Sequence, residues 1–161
     1  MNYSDFLKSK MATAQPEGLK RVPSLHPALF DFQHNVVDVA LRRGRFALFL
    51  DTGLGKTICQ LEWAQHVPGK VLILAPLAVA RQTIREAARM GVRVEYVHDD
   101  AEVLASDASI FITNYDRLGK FDASRFVAVA LDESSILKAF SGVIKRALVS
   151  GAALPNSLRE E

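Results

Sequence analysis

The sequence predicts an α/β fold, a parallel sheet flanked by helices, and three observations carry that reading. Short strand-length runs recur at residues 46–50, 71–75, 109–115 and 126–131, and the first two, apolar at every position, suit strands buried on both faces. The segments between them place apolar residues at helical spacing. A glycine-bearing turn, Asp51-Thr52-Gly53-Leu54-Gly55-Lys56-Thr57, joins the first run to the helix after it. Strands alternating with helices argue for β-α-β units with right-handed crossovers. In such sheets the chemistry gathers beyond the carboxyl ends of the strands.

Each element has its own signal. Ser4 can cap a short helix carrying Phe6, Leu7 and Met11, after which Pro16, Gly18, Pro23 and Pro27 break the pattern. Residues 1–27 therefore read as an N-terminal arm, with Lys8, Lys10, Lys20 and Arg21 as a solvated face, and residues 28–161 as the main lobe. From Asp31 the residues Phe32, Val36, Val39 and Ala40 recur near helical spacing, and Gly44 follows Arg42 and Arg43 where a C-cap belongs. That helix leads into the apolar run at 46–50. The next helix carries Ile58, Leu61, Trp63 and Ala64 and ends by Pro68 and Gly69.

Residues 71–75 repeat the buried-strand signature until Pro76 ends it, and helical spacing resumes from about Ala78 through Ile84, Ala87 and Ala88 to Gly91. Residues 92–97 alternate apolar and polar, a weaker strand suited to an edge. A polar segment at 99–107 has room for one helical turn at most. Strands at 109–115 and 126–131 follow, the last apolar or small until it meets Asp132 and Glu133.

Composition narrows the setting. A chain of 161 residues fits one domain, and a domain near this size removes roughly 70% of its unfolded surface from water. Apolar residues make up 49% and charged residues 24%, which excludes disordered and fibrous classes. A net charge of +2 is compatible with nucleic acid and does not select it. The single cysteine, Cys59, excludes an internal disulfide framework. The N-terminus lacks the apolar run of a signal peptide, and the longest apolar run, residues 71–80, is too short for a bilayer and contains Pro76. The expectation is a cytoplasmic protein with no membrane partner. His26, His34, His66 and His98 lack ligand spacing, so metal hydrolases and nucleophilic triads find little support.

The turn at 51–57 carries the chemistry. Gly53 and Gly55 allow the backbone to fold so closely that successive N–H groups point at one anion, and the following helix adds its positive end. Lys56 would reach the β- and γ-phosphates, and the Thr57 hydroxyl would coordinate Mg²⁺. The full pattern G-x-x-x-x-G-K-[ST] would place its first glycine at position 50, which is Leu50 here. Asp132 and Glu133 stand at another strand end on the same rim. Alone, such a pair also suits a strand that simply ends in solvent. Beside a phosphate loop, Asp132 would bind Mg²⁺ opposite Thr57 and Glu133 would orient and deprotonate the attacking water.

Taken in order, Phe32-Gln33, the loop at 51–57, Leu74-Ala75-Pro76-Leu77, Ile112-Thr113-Asn114-Tyr115-Asp116-Arg117-Leu118 and Leu131-Asp132-Glu133-Ser134-Ser135 resemble the ordered motifs of superfamily-two helicases. The likeness runs from about residue 25 to 138 and looks closest to the Snf-type branch and its phage-encoded DEAD/DEAH-like members. It implies a RecA-like P-loop NTPase lobe that uses ATP and Mg²⁺ and moves along DNA. Thr52, Gly53, Leu54, Gly55, Lys56 and Thr57 match the family's nucleotide loop, with Lys56, Asp132 and Glu133 as its catalytic groups and Thr57 and Asp132 as its metal ligands. Gln33 matches the glutamine that reads the adenine edge, a task suited to an amide that donates and accepts at once. Phe30 or Phe32 would flank the base, although phenylalanines at helical spacing also suit a core. Pro76, Arg81 and Gln82, then Asn114 and Arg117, match two segments that touch the nucleic-acid backbone.

Two departures shape the expectations. Ser134 and Ser135 replace the Ala-His or Ala-Asp of the usual acidic motif. Family members also continue to a Ser/Thr-Ala-Thr strand and a second lobe with an arginine finger, neither of which follows Lys138 here. Residues 143–149 are instead helix-compatible. The sheet is thus expected to lack the strand after the acidic motif, and the chain to be a truncated product with weak ATPase activity. The alternative function is a catalytically inactive remnant or a nucleic-acid or protein interaction module. Another P-loop ATPase or kinase is disfavoured by Gln33 and by Ala75-Pro76 after the strand.

Overall fold

The computed structural model describes residues 18–51 and 53–132. Helices α1 (Asp31–Arg43) and α2 (Lys56–His66) come first. Then follow β1 (Val71–Leu74), α3 (Leu77–Arg89), β2 (Val94–Tyr96), α4 (Asp100–Ala105), β3 (Ile110–Thr113), two 3₁₀ turns (Tyr115–Lys120 and Ala123–Arg125) and β4 (Ala128–Leu131). The four strands form one parallel sheet in the order β2-β3-β1-β4, with Leu74 in register with Thr113 on one side and Leu131 on the other. This is the α/β arrangement that the alternating runs predict.

Strand periodicity divides the core between the two faces. Leu72 and Leu74 point into a cluster with Val97, Val103, Phe111, Tyr115, Leu118, Phe121 and Phe126, roofed by α4 and the 3₁₀ turns. Val71 and Ile73 point the other way, with Ile110 and Ile112, onto Leu61 and Ala64 of α2 and Ala80 and Ala87 of α3. The small residues on α3 let it lie close to the sheet. A third cluster, Leu25, Val37, Leu41 and Cys59, seats α1 on α2.

Local chemistry sets the helix ends. Gly44 sits at φ 75°, and its N–H reaches the Ala40 carbonyl at 3.0 Å, as its place after Arg42 and Arg43 predicts. At the start of α4 the Asp99 side chain accepts the Glu102 N–H at 3.2 Å. With that cap α4 extends over six residues, more than the one turn expected at 99–107. β2 is an edge strand, as its alternating pattern predicts, and β3 stops at Thr113 because Tyr115 enters a 3₁₀ turn.

The apolar run at 46–50 departs from expectation. It forms no strand, and Phe46 and Phe49 are 44% and 86% exposed while Leu48 and Leu50 pack loosely on the α1–α2 cluster. A strand needs a neighbour to pair its backbone groups. Among the described residues β4 pairs only with β1, and residues 46–50 pair with no strand. The expected lack of a strand after the acidic motif concerns residues 133–161. These lie outside the described residues, as do Ser134, Ser135, the helix-compatible stretch at 143–149 and the first 17 residues of the arm.

Phe111 belongs to the cluster under α4 and the 3₁₀ turns. It is fully buried, meets Phe126 edge-to-face at 6.2 Å, and carries the Lys70 ammonium 5.2 Å from its ring centre. Phe111→Ala should lower stability by about 3–5 kcal/mol, read as a fall in the urea midpoint at unchanged slope.

Candidate functional site

The loop before α2 has the backbone shape its glycines predict. Gly53 and Gly55 lie at φ 88° and 76°, in the left-handed region that side chains disfavour. The Leu54 N–H closes a turn on the Asp51 carbonyl at 3.3 Å, and the Cys59 N–H reaches the Gly55 carbonyl at 3.0 Å. Lys56 opens α2 and is exposed, and Thr57 beside it is half-buried. Thr52 lies outside the described residues.

Gln33 ties α1 to this loop. Its side chain is 3% exposed; the carbonyl oxygen accepts the Phe30 N–H and the amide nitrogen donates to the Leu54 carbonyl, each at 3.0 Å. A Cβ added at Gly55 would run into the same amide nitrogen. Phe30 and Phe32 stack with centroids 6.1 Å apart, and both are exposed rather than core. A second tie lies about two helical turns further on. The buried Glu62 carboxylate accepts the His26 N–H at 2.7 Å and meets the Gln65 amide and the His66 ring, the latter at 3.0 Å. Cys59 is buried between these ties, and burial pushes its thiol pKa up, so it is an inert packing residue.

The strand ends form the rim. The Asp132 N–H donates to the Leu74 carbonyl at 3.0 Å, and the Ala75 N–H to the Thr113 carbonyl at 3.1 Å. Pro76, Asn114 and Asp132 therefore stand beyond the carboxyl ends of β1, β3 and β4. Glu133, the other half of the acidic pair, lies outside the described residues.

A cleft of about 370 Å³ opens further along the rim, toward β2. It is lined by Leu77, Arg81 and Ile84 of α3, by Tyr96 and His98 at the end of β2, and by Asn114 and Arg117 after β3. Of the five residues matched to nucleic-acid segments, the cleft gathers Arg81, Asn114 and Arg117. Pro76 instead caps α3, and Gln82 spends its amide on Glu86 at 2.8 Å. Asn114 Oδ1 and Arg117 Nε are buried with no hydrogen-bond partner among the described residues.

Tyr96 and His98 are the contribution that sequence reasoning missed. Their rings meet edge-to-face at 5.1 Å. The i, i+2 spacing at a strand end is the signal that puts both rings on one side. Glu102 fixes the imidazole, accepting the His98 backbone N–H at 2.8 Å and meeting Nδ1 at 3.0 and 3.1 Å. The backbone bond first, and the ring second, hold the Glu102 carboxyl below the usual carboxylate range. Among the described residues no group of three or more His, Cys, Asp or Glu side chains could hold a metal ion by itself, and no helix is long and apolar enough to cross a membrane.

Comparison with known proteins fits this architecture. The crystal structure of the UvsW helicase from Bacteriophage T4 is similar at a TM-score of 0.62 and 18% identity, over 98% of this chain and 58% of that one. At that identity the likeness shows the fold alone: a parallel α/β sheet flanked by helices. This chain spans little more than half of that helicase. No family model matches the sequence, and no curated protein matches it.

The two loop glycines separate strain from contact. Both sit at positive φ, but only Gly55 has the Gln33 amide in the path of a Cβ, and among the described residues nothing lies within 4 Å of one at Gly53. Gly53→Ala should cost about 1–2 kcal/mol from backbone strain, and Gly55→Ala should cost more. Thermal unfolding of both in a Gln33→Ala background should bring the two costs together.

Proposed function

We propose that residues 28–161 are the ATP-binding lobe of a nucleic-acid-dependent ATPase that acts on DNA as a helicase or translocase. One observation carries the reading: two left-handed glycines shape a turn at the start of a long helix, with a buried glutamine from the preceding helix bonded into that turn. Such a turn presents backbone N–H groups and a helix N-terminus to an anion. The residues present suit ATP with Mg²⁺. Lys56 is exposed at the helix start, where its ammonium can meet the β- and γ-phosphates.

Among the described residues Gln33 makes two of the hydrogen bonds its amide can form, and the adenine edge is assigned to the hydrogen and lone pair that remain. The exposed Phe30–Phe32 stack is the apolar surface nearest to it in sequence. Thr57 and Asp132 are the groups that would hold Mg²⁺, which when bound neutralises charge on the phosphates. Glu133 is assigned the task of orienting and deprotonating the attacking water. Arg81, Asn114 and Arg117, gathered in one cleft on the same rim, support contact with the strand.

The second reading, an interaction module without catalysis, has one observation in its favour. Phe46 and Phe49 are exposed on a run that pairs with no described strand, and exposed aromatics of this kind suit a protein partner.

Lys56→Ala discriminates the two. Titration calorimetry with ATP and Mg²⁺ should show affinity falling at least about tenfold, the size expected for losing a charge-assisted contact to phosphate. Unchanged nucleotide binding, or none in the parent chain, would favour the interaction module.

A further inference from the structure

The cleft between α3 and the ends of β2 and β3 has a lining that phosphate contact alone does not account for. Leu77, Arg81 and Ile84 lie on one face of α3 at i, i+4 and i+7, so an apolar, cationic, apolar series looks into it. Tyr96 and His98 face it from one side of a strand end, as their i, i+2 spacing requires. Most of the exposed lining is apolar. A phosphate of a duplex backbone would use the two guanidinium groups and leave the rings and both aliphatic side chains idle.

The polar atoms complete the pattern. Asn114 Oδ1 is an acceptor and Arg117 Nε a donor, and both are buried without a partner among the described residues. Buried polar groups left unpaired are costly, so a native site usually has a partner for them. Both residues line the cleft, and a nucleotide entering it brings hydrogen-bond donors on its base and sugar and acceptors on its phosphate for an asparagine and an arginine to meet. The volume, about 370 Å³, sits at the small end of ligand pockets, where one nucleotide fits and a duplex does not. Glu102 accepts the His98 backbone N–H and meets its ring nitrogen, which biases where the imidazole sits.

We propose that this cleft receives one unstacked nucleotide of a single strand, its base against the Tyr96–His98 rings and the Leu77–Ile84 side chains, its phosphate against Arg81 and Arg117. This rests on the reading of the chain as a nucleic-acid-dependent ATPase lobe and adds to it. Cationic contacts hold any backbone, whereas the ring pair makes the site select a strand whose bases are free. Tyr96 and His98 are then binding residues of the strand site.

Fluorescence anisotropy of the full chain with three probes tests this: a short oligothymidylate, an abasic strand of the same length and charge, and a duplex. The oligothymidylate should bind about tenfold or more tighter than the abasic strand, the usual size of one base–aromatic stack. Tyr96→Leu, which keeps apolar bulk against the sheet, should bring the oligothymidylate to the abasic level and leave abasic binding unchanged. His98→Ala should do the same in part. Arg117→Ala should weaken both single strands together and flatten their salt dependence.

Equal affinity for the two single strands, duplex binding as tight as the oligothymidylate, or no effect of either ring substitution overturns the proposal. Parallel calorimetry with ATP and Mg²⁺ keeps the two readings apart. Intact nucleotide binding with equal strand affinities sinks the base slot alone, and absent nucleotide binding with a preserved strand preference sinks the ATPase reading alone.

Discussion

Strand β1 is hydrogen-bonded in parallel on both edges, and the proposed functional groups at the strand ends hang from that constraint. A parallel strand flanked on both sides must be covered on both faces, which is why Val71 to Ala75 are all buried and why helices take one face and the α4 and 3₁₀ layer the other. Parallel direction also sends the chain out at one end each time. The Leu74 carbonyl receives the Asp132 N–H and the Thr113 carbonyl receives the Ala75 N–H. The strand ends are thereby locked level with one another, and Pro76, Asn114 and Asp132 emerge together without any contact among their side chains being needed.

The loop at 51–57 is held by other means. No described strand anchors it from behind, so its position depends on α1 and α2. Gln33 grips the Leu54 carbonyl from one side, and Glu62 draws the backbone at His26 onto α2 from the other. Burying a carboxylate without partners would be prohibitive, but this one accepts a backbone N–H and meets an amide and an imidazole. Each partner removed leaves the buried carboxylate one hydrogen bond short. The network thus specifies one arrangement of the chain before α1, and the loop inherits that arrangement through Gln33.

The sheet was legible in the sequence because its strands are short and apolar and its helices carry clear stop signals. Val71 to Leu74 needed only their own composition, and Gly44 and Pro76 ended elements where their φ preferences require. The run at 46–50 read as a strand for the same reason, yet an apolar run does not reveal whether a neighbour exists to pair with it. The turn before α2 was legible because Gly53 and Gly55 suit the left-handed backbone they adopt there. Arg81, Asn114 and Arg117 were legible only through an ordered resemblance, since a lone arginine on a surface has no signature. Tyr96 and His98 were missed because a site built across β2, α3 and β3 becomes visible only once the sheet order places those elements side by side.

The two halves of the rim differ in how firmly they are built. Around the cleft, Asn114 and Arg117 follow a strand whose residues are all buried, and Tyr96 and His98 leave one that is bonded to it. Around the loop, Phe46 and Phe49 are in solvent and a cluster of only four buried residues seats α1 on α2. Local opening follows the density of buried apolar contact. The segment from 46 to 55 is therefore the cheaper part of the rim to open. A ligand that binds only the closed loop stabilises it in proportion to its own affinity. Bound nucleotide would then have its largest ordering effect on the loop itself, while the cleft, already fixed by the sheet, would change little.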